Sequence, residues 1–128
     1  MNQIMAVLLN GIAQIELDRG RPLPDHQGAY LEKMDRKMHE QGIDIDGRVV
    51  TRPDLGQKAQ FISANLAHAI RTNNEAQAAA MTTWLAVRMP DLKQVKIRDD
   101  GEAFEIELDF EHDYVRQVPV TFTPWKKG

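Results

Sequence analysis

The chain contains no cysteine. Disulfide frameworks, thiolate nucleophiles, cysteine-ligated zinc and cysteine-bound iron–sulfur clusters are thereby excluded within one copy. Serine is nearly missing as well. Ser63 is the only one, and it lies inside a helical pattern rather than in the strand–turn–helix setting of a nucleophile elbow. The eight glycines are scattered, so neither G-x-G-x-x-G nor G-x-x-x-x-G-K occurs, and no loop has the composition of a phosphate cradle. Long apolar runs are absent too. Met5 to Leu9 falls far short of a membrane span, and no basic residue precedes it as in a secretory signal. These absences lead to the expectation of a cytoplasmic protein.

An excess of positive charge is also lacking. Lys and Arg number 16 against 19 Asp and Glu, for a net charge of −3. Duplex binders carry a Lys/Arg stripe that displaces counterions, and nothing in this chain approaches one. Nucleic acid is not an expected partner.

What remains is ordinary globular material: 128 residues, 42% hydrophobic and 27% charged. That suits a single domain spanning residues 1–128, which buries roughly two-thirds of its unfolded surface. The first segment, Met1 to Asp18, offers two readings. Ile4, Leu8, Ile12 and Ile15 fit a helical stripe, while Asn10-Gly11 is a two-residue hairpin signal. Strict alternation fails across Met5 to Leu9, so the helix is preferred. A loop follows at Arg19–Pro24, and then a helix over residues 25–41. Tyr30, Met34 and Met38 form its buried face, Asp25 caps it, and Gly42 ends it in a Schellman stop.

Ile43 to Val50, with Asp46-Gly47 as a turn, reads as a tiny hairpin or an ordered connection. Thr51 and Asp54 have the spacing of a capping box before Leu55, Ala59, Ile62, Leu66 and Ile70, a clean amphipathic helix. Asn74 with Gln77 caps the next helix, which Pro90 ends. From Leu92 the period switches to two. With Asp100-Gly101 as a tight turn, Ile97 faces Phe104, Val95 faces Ile106 and Lys96 lies opposite Glu105. Val118, Val120 and Phe122 make a third strand, placed at an edge by Pro119. The expected architecture is α+β: about four N-terminal helices, the first uncertain, followed by a three-stranded antiparallel β-meander packed on them.

Two groups of residues stand out chemically. Phe61, Asn65, His68 and Thr72 form a second stripe on the Leu55 helix, opposite its apolar side. An aromatic, an amide, an imidazole and a hydroxyl there suggest a ligand or partner surface, or else a semi-buried face that merely satisfies its polar groups. The other group is acidic: Glu105, Glu107, Asp109 and Glu111 are expected on one face of the middle strand, with His112 beside them. Carboxylates at i, i+2 on a strand lie about 7 Å apart, too far to share a proton, so the plain reading is a solvated sheet face. Glu32, Asp35 and His39 fall along one side of the 25–41 helix, also read as a solvated charged face. None of the four histidines stands in a metal-binding pair, so neither a metal nor a cofactor is expected.

The functional expectation is a small non-enzymatic interaction or accessory protein, acting through protein–protein contacts and forming a homodimer. The adaptable methionine faces and the meander's edges support it. The competing expectation is a small-molecule binder or enzyme using a helix–sheet cleft around His68, Asn65 and Tyr114.

Overall fold

Asn10 and Gly11 both have positive φ, 51° and 84°, the pair of values that a two-residue hairpin turn of the primed type demands. The first segment is therefore a hairpin and not a helix. The structure is a computed structural model describing residues 3–115. It begins with β1 (Ile4–Leu9) and β2 (Ile12–Asp18), followed by α1 (Asp25–Gln41) and a short hairpin of β3 (Ile43–Ile45) and β4 (Arg48–Val50). Next come α2 (Leu55–Arg71), α3 (Glu75–Arg88), β5 (Gln94–Asp99) and β6 (Phe104–Asp109). The four long strands form one mixed sheet in the order β2-β1-β5-β6, in which β1 and β5 run parallel.

This corrects the expected architecture. The described residues hold three helices and six strands in two sheets, in place of four helices and a three-stranded meander. The physical reason lies in β1. As an interior strand it is covered on both faces: Met5 and Val7 enter the main core, while Ala6 and Leu8 pack against Tyr114 on the opposite side. A strand buried on both faces loses its alternation, which is why its sequence passes for a helical stripe. The expected third strand, with Pro119, lies outside the described residues. β5 is likewise interior, between β1 and β6, so it is not the free edge that a three-stranded meander would leave there.

The β5–β6 pairing keeps every expected face but moves by two residues. Ile97 faces Ile106, Lys96 faces Glu107 and Arg98 faces Glu105. A shift of two preserves the side of the sheet on which each residue lies. Its cause is a longer turn: the Asp100 carboxylate accepts from the backbone of Glu102 and Ala103 at 2.9 and 3.0 Å, so Asp99 pairs with Phe104. Those same donors lower the Asp100 carboxyl from its ordinary value.

Helix boundaries also move for local reasons. Arg52 has φ 53°, which a helical residue cannot adopt, so the capping box sits three residues later than expected. Asp54 Oδ1 accepts from Gln57 N at 2.8 Å, and Gln57 Oε1 accepts from Asp54 N at 2.9 Å. Asn74 caps α3 through Gln77 N, as the sequence implies. At Gly42, φ 72° and ψ 177° rule out a Schellman stop and send the chain straight into β3. A Cβ there would lie 2.8 Å from Val50 O, so only glycine fits the turn. Asp25, expected as the cap of α1, is its first residue, and no side chain caps that end.

All three helices contribute to the core on one face of the sheet. Ile62 and Leu66 of α2, Trp84 and Leu85 of α3, and Leu31 of α1 are buried there with Met5, Val7, Val95 and Ile97. Among the described residues no helix is long and apolar enough to cross a membrane.

Candidate functional site

The α1 face expected to be buried is only partly so. Leu31 and Met38 reach the core, Met34 is half-buried, and Tyr30 stays 49% exposed. Burial of the Tyr30 ring is incomplete because α1 does not lie flat on α2 and α3. It is pinned to α3 on one side: Asp35 accepts from the Trp84 indole N–H at 2.7 Å and pairs with Arg88. Asp35, expected on a solvated charged face, is thus the tether of α1. Glu32 and His39 beside it are exposed.

The other side of α1 stands off and leaves a groove of about 890 Å³. Tyr30, Met34 and Met38 form one wall, Phe61 and Asn65 of α2 another, and Met81 with Ala79 and Ala80 of α3 the third. Thioether side chains are flexible and polarizable, so a Met-lined apolar groove adapts to the shape of what fills it. The Asn65 amide donates to Phe61 O at 2.8 Å, which holds it against its own helix.

The structure divides the expected ligand stripe. Phe61 and Asn65 line the groove, whereas His68 and Thr72 do not. Thr72 instead ends α2, its backbone N–H and hydroxyl both donating to His68 O, and the His68 side chain is exposed. Tyr114 lies across the sheet from the helices, packed on Ala6 and Leu8 with its hydroxyl donating to Glu16. His68, Asn65 and Tyr114 are therefore not brought into one cleft.

The acidic row also separates. Glu105 and Glu107 are exposed on β6 and Glu111 lies beyond its end, but Asp109 is only 4% exposed. Its carboxylate meets Lys96 Nζ at 2.9 Å and accepts from the backbone N–H groups of Glu111 and His112. His112 Nδ1 lies 3.0 Å away from the same group. Lys96, followed by those backbone donors, holds the Asp109 carboxyl far below its ordinary value of 3.8, while the carboxylate raises the Lys96 ammonium in turn. The cluster orders the turn after β6, and the Gln94 side chain extends it by donating to His112 O at 2.8 Å. Among the described residues no group of acidic or histidine side chains is arranged to hold a metal ion.

A pH dependence follows. Because folding lowers the Asp109 carboxyl, its stabilising contribution is complete above the unfolded value and is lost as pH falls through the folded one. Wild type is expected to exceed Asp109→Asn in stability at neutral pH. The margin should shrink steadily below about pH 4, where the unfolded carboxylate takes up its proton. Urea denaturation at stepped pH checks this, and a margin unchanged down to about pH 2 would refute it.

Sequence reasoning missed Ala79, Ala80 and Met81 as site residues, since small and apolar positions on α3 carry no chemical signal of their own. The methionine spacing on α1 was the available signal, read as core. No protein-family model matches the chain, and no match was found among curated proteins or solved structures.

Proposed function

We propose that the protein is a non-enzymatic interaction module that holds an amphipathic helix of a partner in the groove between α1, α2 and α3. The observation that carries this reading is the groove itself: an apolar trough of about 890 Å³, left open beside a 17-residue helix and walled by three methionines and two aromatic rings. A 17-residue helix is about 25 Å long, so the trough beside α1 accommodates several turns of a second helix. Helix-in-groove recognition places apolar anchors at i, i+3/i+4 and i+7 against such a surface. A small enclosed ligand would instead want a cavity that covers most of its surface, and this groove is open along one side.

The test uses a labelled helical peptide of about 15 residues with leucines on one face and uncharged polar flanks, followed by fluorescence anisotropy. Saturable binding is expected, and Ala79→Trp is expected to abolish it. Ala79 is exposed on the groove wall, so filling the trough from there leaves the core untouched. No binding, or equal binding by a folded Ala79→Trp variant, would overturn the reading.

A further inference from the structure

The charge lining the groove is one-sided. The chain as a whole is acidic, with 19 Asp and Glu against 16 Lys and Arg. Yet, among the described residues, Lys37 and His26 line the groove and no aspartate or glutamate does. The remaining polar lining consists of amides, Gln41, Asn65 and Gln77 among them, and the Thr83 hydroxyl. The arrangement follows from how α1 is turned. The contact of Asp35 with Trp84 and Arg88 fixes that helix's rotation, which swings Tyr30, Met34 and Lys37 together onto the groove side. Lys37 stands one turn from Met34 and next to Met38, and its side chain is exposed where it lines the groove.

We infer that the partner helix is acidic, with carboxylates flanking its apolar face so that one meets Lys37 at the rim. The inference rests on the helix-in-groove reading and adds the partner's charge to it. Among the described residues an anionic helix meets no carboxylate on the walls, whereas a basic one would meet Lys37. The general negative charge of the chain opposes an acidic partner at long range, so the attraction is local to this groove and screened by salt. With the ammonium exposed, a single pair of this kind changes affinity by about two- to fivefold.

The test compares two labelled helical peptides with the same leucine face, one flanked by glutamates and one by lysines. In low salt the glutamate peptide is expected to bind about fivefold more tightly. Lys37→Glu, on the exposed side of α1, is expected to reverse that order without changing the melting temperature. Equal affinities, or a preference that survives Lys37→Glu, would overturn the acidic partner while binding blocked by Ala79→Trp keeps the groove reading intact. If neither peptide binds, both readings fall. Dodecanoate binding where neither peptide does would assign the groove to an acyl chain. A dimer of the chain alone that Ala79→Trp dissociates in sedimentation equilibrium would place a second copy there. Either result would overturn the acidic helix.

Discussion

Replacing Trp84 by alanine is expected to remove about 3–5 kcal/mol of stability, the range for truncating a buried tryptophan. Trp84 is wholly buried and is the largest side chain in the core that α3 shares with the sheet. Its indole N–H is also the donor that anchors Asp35 of α1. Truncation therefore opens a cavity and orphans one side of the α1 tether. A domain with about 5–15 kcal/mol in total can lose much of its folded population that way. Trp84→Phe separates the two effects, since it keeps most of the ring volume and deletes the donor. It should cost about 1–2 kcal/mol, and combining it with Asp35→Asn should cost less than the sum of the two, because they share the indole–carboxylate bond, while Asp35→Asn also weakens the pair with Arg88. Urea denaturation at constant m-value measures each step. A Trp84→Ala variant within about 1 kcal/mol of wild type would contradict the burial described above.

The sequence made the helices and the last hairpin easy to read and the first strand hard, for one reason. Amphipathic elements advertise their buried side through a period, as α2 does with Ala59, Ile62 and Leu66, and β6 does with Ile106 and Leu108 between exposed glutamates. β1 has no exposed side to advertise. β2 did carry the missing information: half-buried Ala13, Ile15 and Leu17 alternate with exposed Gln14, Glu16 and Asp18. Weighing that alternation together with Asn10-Gly11 would have outvoted the helical stripe. The parallel pairing of β1 with β5 is another matter. It joins residues nearly ninety positions apart, such as Val7 and Val95, and no local pattern encodes it.

The site was legible in pieces. Phe61 and Asn65 were singled out because an aromatic and an amide interrupt what should be a charged outer face, and both do line the groove. His68 and Thr72 belong to the same stripe by spacing but do not line the groove: the His68 side chain is exposed and Thr72 closes the end of α2. Spacing along one helix fixes which residues share a face and leaves open how far a neighbouring helix extends over it. Asp109 failed differently. Period two assigned it to the exposed face with Glu105 and Glu107, yet it closes the strand, and the turn wraps its carboxylate in backbone N–H groups.

Arg19 was read as part of a featureless loop, and its replacement by methionine is expected to cost about 2–4 kcal/mol, since three carbonyls lose charged donors. The guanidinium leaves the end of β2 and reaches the C-terminus of α3. It donates to Ala86 O twice at 3.3 Å, to Met89 O at 2.9 Å and to Leu92 O, and it lies against the Met5 sulfur. The last carbonyls of a helix lack partners within it and carry the negative end of its dipole, so a cation there is favoured twice over. Burial lowers the guanidinium from its ordinary value, Asp91 draws it partly back, and arginine remains charged at neutral pH. The planar fork spreads its N–H groups over three separated carbonyls in one fixed geometry, which a compact ammonium cannot reproduce. Arg19→Lys should therefore recover less than half of the loss, because one ammonium keeps the charge but not the geometry. Chemical denaturation of the two variants measures this, and hydrogen exchange adds a local readout: the amide of Met89, bonded to Leu85 O, should exchange faster in both. Equal stability of Arg19→Lys and wild type would show that charge alone suffices. Arg19→Met within about 0.5 kcal/mol of wild type would mean that the β2–α3 joint is held by packing instead.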